Sequence, residues 1–350
     1  MIFNFPHLVK DLLSQFSDHD YSVLNTRLFV SLWLGFVLDK SISSMRDLFR
    51  RVNQGGIEID ISTFSKANKH RSISPFQELY KQVLDLVKKK SKKKSTKQSE
   101  QEREEYEACP IDSTVITLTS KILWDLGYHQ VKLVDIFNNT LGGSQNPLIN
   151  FGYNHDYKFA GEMLEGLESN QVGIMDRGFA ALDYLKQLQE EEKKFLIRIN
   201  LNYKLEPLES GDWLIGTGKK QGIYRLIWFC DLETKVEYRF VTNLSNEFSN
   251  EEVGELYRQR WRIELFWKFL KMHLKLDQLI SKSVNGIEIQ LYSCLIVYLM
   301  LQLIEIPEIW GCSLLDKLRY LQACVSQEFS YVHWIDRILN NRPFRLHMVY

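Results

Sequence analysis

The sequence predicts an α/β core flanked on both sides by helical segments. Three observations predict it. Apolar residues follow helical spacing through residues 1–90, short apolar runs alternate with amphipathic stretches from Cys109, and the chain returns to a helical pattern after Asn250. With 350 residues, 45% of them hydrophobic, the chain has room for two or three domains and enough apolar surface for a sizeable core.

In the first segment Leu8, Leu12, Leu13 and Phe16 share a helical face, and 24–38 is an apolar helix dense in Leu, Phe and Trp. Residues 45–51 make a short basic helix, Gly55 and Gly56 a turn, and Ser62 or Thr63 can cap a second helix over 64–71. This spacing suits a helix-turn-helix. The second helix carries Ser65, Lys66, Asn68, Lys69, His70 and Arg71. These side chains either meet bases and phosphates in a major groove or form a solvated basic face.

From Lys88 the chain reads KKKSKKKSTK and then turns acidic through Glu100, Glu102, Glu104, Glu105 and Glu107. So little apolar surface cannot fold alone, so 91–108 is expected to be a charged linker or an exposed helix end, with lysines that are solvated or neutralise DNA phosphates. Strands are expected at 110–118, 130–137, 148–153, 171–175 and 195–200, with helices at 160–167 and 179–192 between them. Residues 201–245 alternate apolar and polar positions between turn signals and read as antiparallel strands. A helix over 251–276 opens the last, helical part, and no internal repeat is present.

Several classes are excluded. The five cysteines form no C-x-x-C pair, which argues against a zinc ribbon or a disulfide framework and suits a reducing cytoplasm. The first residues lack the basic and apolar regions of a signal peptide, and the apolar run 291–304 is shorter than the roughly 20 residues a bilayer needs, so a buried core helix and no membrane are expected. No G-x-x-x-x-G-K-S/T and no H-x-x-R box with a late tyrosine occurs, which disfavours an ATPase and a tyrosine recombinase. Net charge is zero, so nucleic-acid binding must rest on how charge is distributed.

Asp112 lies in one expected strand and Asp176 just after another. A carboxylate there is costly to bury unless paired, which leaves a metal, a cap on Ser113 or Thr114, or a pair with Arg177 as explanations. On the helix expected at 251–276, Tyr257, Arg260, Glu264 and Lys271 stand at i, i+3, i+7 and i+14 and so share a face. By itself this is also what a surface Arg260–Glu264 pair looks like, worth a few tenths of a kcal/mol.

The pattern Y-x-x-R-x-x-x-E-x-x-x-x-x-x-K formed by these four residues lies downstream of D-S-T (Asp112, Ser113, Thr114) and D-R-G-F (Asp176 to Phe179). In order, context and spacing it resembles the signature of the insertion-sequence-four family of DDE transposases, over roughly residues 109–280. The resemblance implies an RNase H-like catalytic domain at 109–280 with a β-rich insertion at about 201–245, preceded by an all-helical DNA-binding domain at 1–90 and followed by a helical region at 281–350. It implies that Asp112, Asp176 and Glu264 are catalytic and hold Mg²⁺ or Mn²⁺, two ions in all; three acids with no His or Cys suit such hard ions. Tyr257, Arg260 and Lys271 would bind phosphates near the cut, and Lys66, Asn68, Lys69 and Arg71 would contact DNA. The implied partners are double-stranded DNA, both element ends and target, and a second copy in a synaptic homodimer, with a hairpin intermediate in similar enzymes. Trp213 and Trp228 either stack on a displaced base or belong to the core. The competing functions are a catalytically silent DNA-binding protein or repressor derived from a transposase, and a nuclease of the same fold.

Overall fold

Alternation of apolar and polar positions after Cys109 produces strands, and three-to-four-residue spacing elsewhere produces helices, in the computed structural model, which describes residues 3–54, 56–95, 106–230, 235–324 and 331–340. Helices α1 (Phe5–Leu13), α2 (Thr26–Leu38), α3 (Met45–Gln54), α4 (Ile61–His70) and α5 (Ser74–Ser95) lead to strand β1 (Glu107–Thr117). There follow α6 (Lys121–Asp125), β2 (Gln130–Asn138), β3 (Gly143–Ser144), β4 (Leu148–Phe151), α7 (Ala160–Glu165), β5 (Gln171–Met175), α8 (Leu182–Glu190) and β6 (Lys194–Arg198). The order ends with β7 (Leu205–Pro207), β8 (Trp213–Ile215), β9 (Gly222–Cys230), β10 (Glu237–Thr242), α9 (Asn250–Arg258), α10 (Trp261–His273), α11 (Val284–Leu303), α12 (Leu314–Cys324) and α13 (Tyr331–Leu339). The chain divides into two units, one of Met1–Gln98, Leu118–Gly127 and Lys268–Tyr350, the other of Ser99–Thr117 and Tyr128–Trp267.

The first unit is helical and joins segments that the sequence suggests are separate: the amino-terminal helices and the carboxy-terminal ones pack together, α11 against α2, α4 and α5, and α13 against α1 and α2. The reason is apolar surface. Trp33, Phe29, Phe49, Phe64 and Phe76 are fully buried, far more than five short amphipathic helices can cover among themselves. Helix α11 absorbs the apolar run 291–304; at 20 residues it has the length and composition to cross a membrane, yet 78% of its apolar window is buried inside the protein. Helix α4 is capped two residues before Ser62 and three before Thr63, by Asp60, whose side chain accepts from the Ser62 amide at 2.6 Å. The expected linker is partly structured, because residues 91–95 continue α5 and β1 already begins at Glu107; its middle, 96–105, lies outside the described residues.

A buried ammonium ties α2 down. Lys275, only 3% exposed, donates to the carbonyls of Phe36 at 2.8 Å and of Asp39 and Ile42 at 2.5 Å each. A cation at the end of α2 suits the helix dipole and the carbonyls left unpaired there. Burial pulls its pKa down to about 8, against the opposing charge of Asp39. Lys275→Met should therefore destabilise the protein by about 2–4 kcal/mol in urea unfolding, since three buried carbonyls lose their donor.

The second unit is one mixed sheet in the order β3-β2-β1-β5-β6-β10-β9-β8-β7, with β4 also on β2. β1, β5 and β6 run parallel to one another, while β2 pairs antiparallel with β1 and β10 antiparallel with β6. The strands expected at 201–245 are present and antiparallel, and through β10 they extend the main sheet. One face is covered by α7 and α8 over Ile111, Val134, Ile136, Met175, Phe195 and Ile197. The other carries Ala108, Val172, Ile174, Leu196 and Phe240 under Val253, Leu256 and Tyr257 of α9.

Candidate active site

Alternate positions along the parallel strands put the candidate residues on the α9 face. Ala108 belongs to that face, and so by alternation does Asp112; Val172 and Ile174 lead to Asp176, and Leu196 leads to Arg198. Ile111 pairs with Met175 and Met175 with Ile197, so Asp112 in the middle of β1, Asp176 just past the end of β5 and Arg198 at the end of β6 follow in one row across neighbouring strands, which are spaced about 4.8 Å apart. The opposite strand gives the same result. Asp112 is in register with Asp135, Asp135 shares a face with Phe137, and Phe137 packs on Phe266 of α10 with ring centroids 5.3 Å apart. Helix α10, which bears Glu264, therefore lies over the face of Asp112.

The helix expected over 251–276 is two helices with a break at Gln259 and Arg260. The break is a tighter turn: the amides of Arg260, Arg262 and Ile263 bond the carbonyls three residues back. Tyr257 thus ends up on α9, Arg260 in the turn, and Glu264 and Lys271 on α10. Three of them still interact. The Arg260 guanidinium lies 5.9 Å from the Tyr257 ring centre and donates to Glu264 at 2.5 Å. Tyr257 itself rests on Phe240, ring centroids 4.4 Å apart. Lys271 is seven residues beyond Glu264 on α10 and falls in the helical unit.

The electrostatics follow. Burial pushes the Asp112 carboxyl up to about 6, and the charges of Asp176 and Asp156 add to this, against the Ser113 amide and the Arg260 guanidinium. Burial also raises the Tyr257 phenol above its ordinary value, while Arg260 and Arg198 pull it down. Asp176 caps the short 3₁₀ turn Arg177–Phe179, accepting from the Gly178 amide at 2.7 Å rather than pairing with Arg177.

Sequence reasoning missed Asp156 and its partner Lys132. Asp156 accepts from the Ser113 hydroxyl at 2.7 Å and from Lys132 at 2.6 Å, and Lys132 also holds the Asn154 carbonyl at 2.7 Å. A Cβ on Gly178 would stand 3.0 Å from Asp176 Oδ1 and 3.3 Å from Asp156 Oδ2, so the two carboxylates flank that glycine closely. No local pattern around NHDYKF marks Asp156; only the fold brings it beside the row of Asp112 and Asp176.

The expected DNA-contacting helix is mixed. Lys66 and Lys69 of α4 are exposed. Asn68 is not available to a groove: it is 1% exposed and accepts from the Trp33 indole at 3.0 Å, an anchor that a polar residue on the inner side of α4 must find. Arg71 is part-buried over the Tyr21 ring at 3.7 Å. Trp213 and Trp228 pack edge to face on each other at 4.8 Å.

Among the described residues no three acidic, histidine or cysteine side chains stand together closely enough to hold one ion, and Glu264 is paired with Arg260. The donor chemistry nonetheless fits a divalent cation. Burial, with Asp176 and Asp156 close by, disfavours the charge on Asp112, an excess of oxygen donors and negative charge that a hard ion would relieve.

The transposase DDE domain family matches residues 103–300. The chain belongs to this family of transposases. It is 47% identical over 342 residues, 96% of this chain and 98% of the relative, to the putative transposase for insertion sequence element IS4SA of Synechocystis sp.. It is also 27% identical over 212 residues, 55% of each chain, to the probable transposase for insertion sequence element IS5377 of Geobacillus stearothermophilus.

Asp112 makes a prediction about the metal-free protein. Its folded value of about 6 exceeds the ordinary 3.8, so the native state holds a proton that the unfolded chain has released, and stability falls as pH rises between those values and stays lowered above them. Asp112→Asn should then be more stable than the wild type at about pH 7.5 in chelator, by roughly 1–2 kcal/mol after solvent screening, with the gain gone by about pH 4. Thermal melts across that range check it. An equal gain at both ends would remove the electrostatic explanation.

Proposed function

We propose that the chain is the transposase of an insertion sequence, which binds the element's DNA ends, cuts them and joins them to target DNA, with Asp112, Asp176 and Glu264 as the catalytic carboxylates. The observation that carries the reading is that Asp112 and Asp176 are neighbours in register across the parallel strands β1 and β5, on the face covered by the helices that carry Arg260 and Glu264. The sheet, with β1, β5 and β6 parallel and β2 antiparallel at one side, supports an RNase H-like core. The three carboxylates would hold two ions, Mg²⁺ or Mn²⁺, which when bound activate water or a 3′-hydroxyl and offset charge on the transferred phosphoryl.

The protein's own groups do the rest. Arg260 presents a forked donor that Glu264 occupies in the free protein, and a DNA phosphate competes for the same N–H groups. As the phosphate takes Arg260, Glu264 is released toward Asp112 and Asp176, which links DNA binding to assembly of the carboxylate set. The Tyr257 hydroxyl, kept protonated by burial, donates to a phosphate oxygen, and Lys271 adds a point charge further along α10. Asp156 and Lys132 fix the segments that carry Asp112 and Asp176. Lys66 and Lys69 contact the element's end, and two copies act together so that both ends are cut in one synaptic complex, on DNA in the cytoplasm.

The test is cleavage of a plasmid carrying the gene's flanking DNA, with and without Mg²⁺. Cutting at discrete ends should require the ion and fall by at least about 10³-fold in Asp176→Ala and in Glu264→Ala. Wild-type protein that binds the ends yet cuts under no divalent ion, as the variants do, would favour the silent DNA-binding reading.

A further inference from the structure

A cleft of about 470 Å³ opens beside Asp176, lined by Arg177, Arg198, Asn200, Leu201, Lys235 and Glu237. Its charge is lopsided. The one carboxylate in the lining, Glu237, is taken by Arg239 at 2.7 Å, and among the described residues Arg177, Arg198 and Lys235 have no acidic partner. Arg198 is packed on a ring rather than neutralised, its guanidinium carbon 4.5 Å from the centre of the Tyr238 ring, a contact that leaves its charge in place. Lys235 stands at a turn with φ of 53°, exposed at the opposite wall.

The position of the cleft says what fills it. Asp112, Asp176 and Arg198 form one row across β1, β5 and β6, and the row ends in the cleft. A polymer of regularly spaced anions with one phosphate at the aspartates must place a neighbouring phosphate one or two strand widths further along. We propose that the Arg177, Arg198 and Lys235 cleft is a backbone subsite that binds the DNA phosphates next to the scissile one and so sets the register of the strand across the carboxylates. This rests on the transposase reading above. The charge of Arg198 is also felt at Tyr257, so the subsite and the Tyr257–Arg260 group lie on the same path. A phosphate there meets two forked donors and a point charge, while the aspartates repel it, so the cleft holds the strand and the aspartates are left for the ions.

The experiment is the salt dependence of binding of full-length protein to a labelled duplex carrying the element's end, measured by fluorescence anisotropy. Each lost phosphate contact lowers the slope of log K against log salt by about 0.9. Arg198→Gln and Lys235→Gln should each lower it by about that amount and the double variant by about twice as much, whereas Arg198→Lys keeps the charge and the slope. Lys219→Gln, an exposed lysine outside the cleft, should leave it unchanged. Unaltered circular dichroism and melting show that the variants fold; Lys235→Gln, at an exposed turn, serves if Arg198→Gln does not. Slopes equal to wild type in the folded variants, or the same loss in Lys219→Gln, overturn the subsite while leaving the transposase reading intact. Wild-type protein with no affinity for the duplex overturns both.

Discussion

The parallel pairing of β1, β5 and β6 is the constraint on which the site depends. Parallel strands of a pleated sheet present equivalent positions side by side, so one register places Asp112, Asp176 and Arg198 in a row on one face. A slip of one residue in any of these strands would send its member of the row to the face covered by α7 and α8, into the core around Ile111, Met175 and Phe195. The apolar side chains that alternate with the charged ones therefore enforce the site as well as the fold.

Packing on the two faces does two different jobs. On the α7 and α8 face, Lys132 and Asp156 form an ion pair with hydrogen bonds to Ser113 and to the Asn154 carbonyl, so a charge that burial would otherwise penalise is satisfied on every side. On the α9 face Asp112 has other carboxylates beside it, with Arg260, itself paired to Glu264, as a nearby cation and Arg198 further along the same row. One acidic group, Asp156, is thus paired and hydrogen-bonded, while the other, Asp112, has further carboxylates as neighbours.

Arg260 links the two helices over the sheet. It lies in the break between α9 and α10, where three-residue hydrogen bonds replace the four-residue ladder, and it touches Tyr257 behind and Glu264 ahead. The tighter turn interrupts the helix between Tyr257 and Glu264 and keeps the contacts of Arg260 with both.

Much of this was legible in the sequence. Periodicity located β2 and β5 almost to the residue, the alternating segment 201–245 was read as antiparallel strands, and the spacing of Tyr257, Arg260, Glu264 and Lys271 picked out the helical region that covers the sheet, because side-chain periods are local properties of the backbone. Local pattern did not show the break at Gln259 and Arg260, where the same residues satisfy either turn, or the burial of Asn68, whose partner Trp33 is 35 positions away. It was equally silent on Asp156, Lys132 and Arg198. Each owes its place to a partner strand or turn distant in the chain, and only tertiary structure decides which strands become neighbours. The sequence alone determined the elements and the chemical types at hand; the fold decided which of them share a face, an end and a charge.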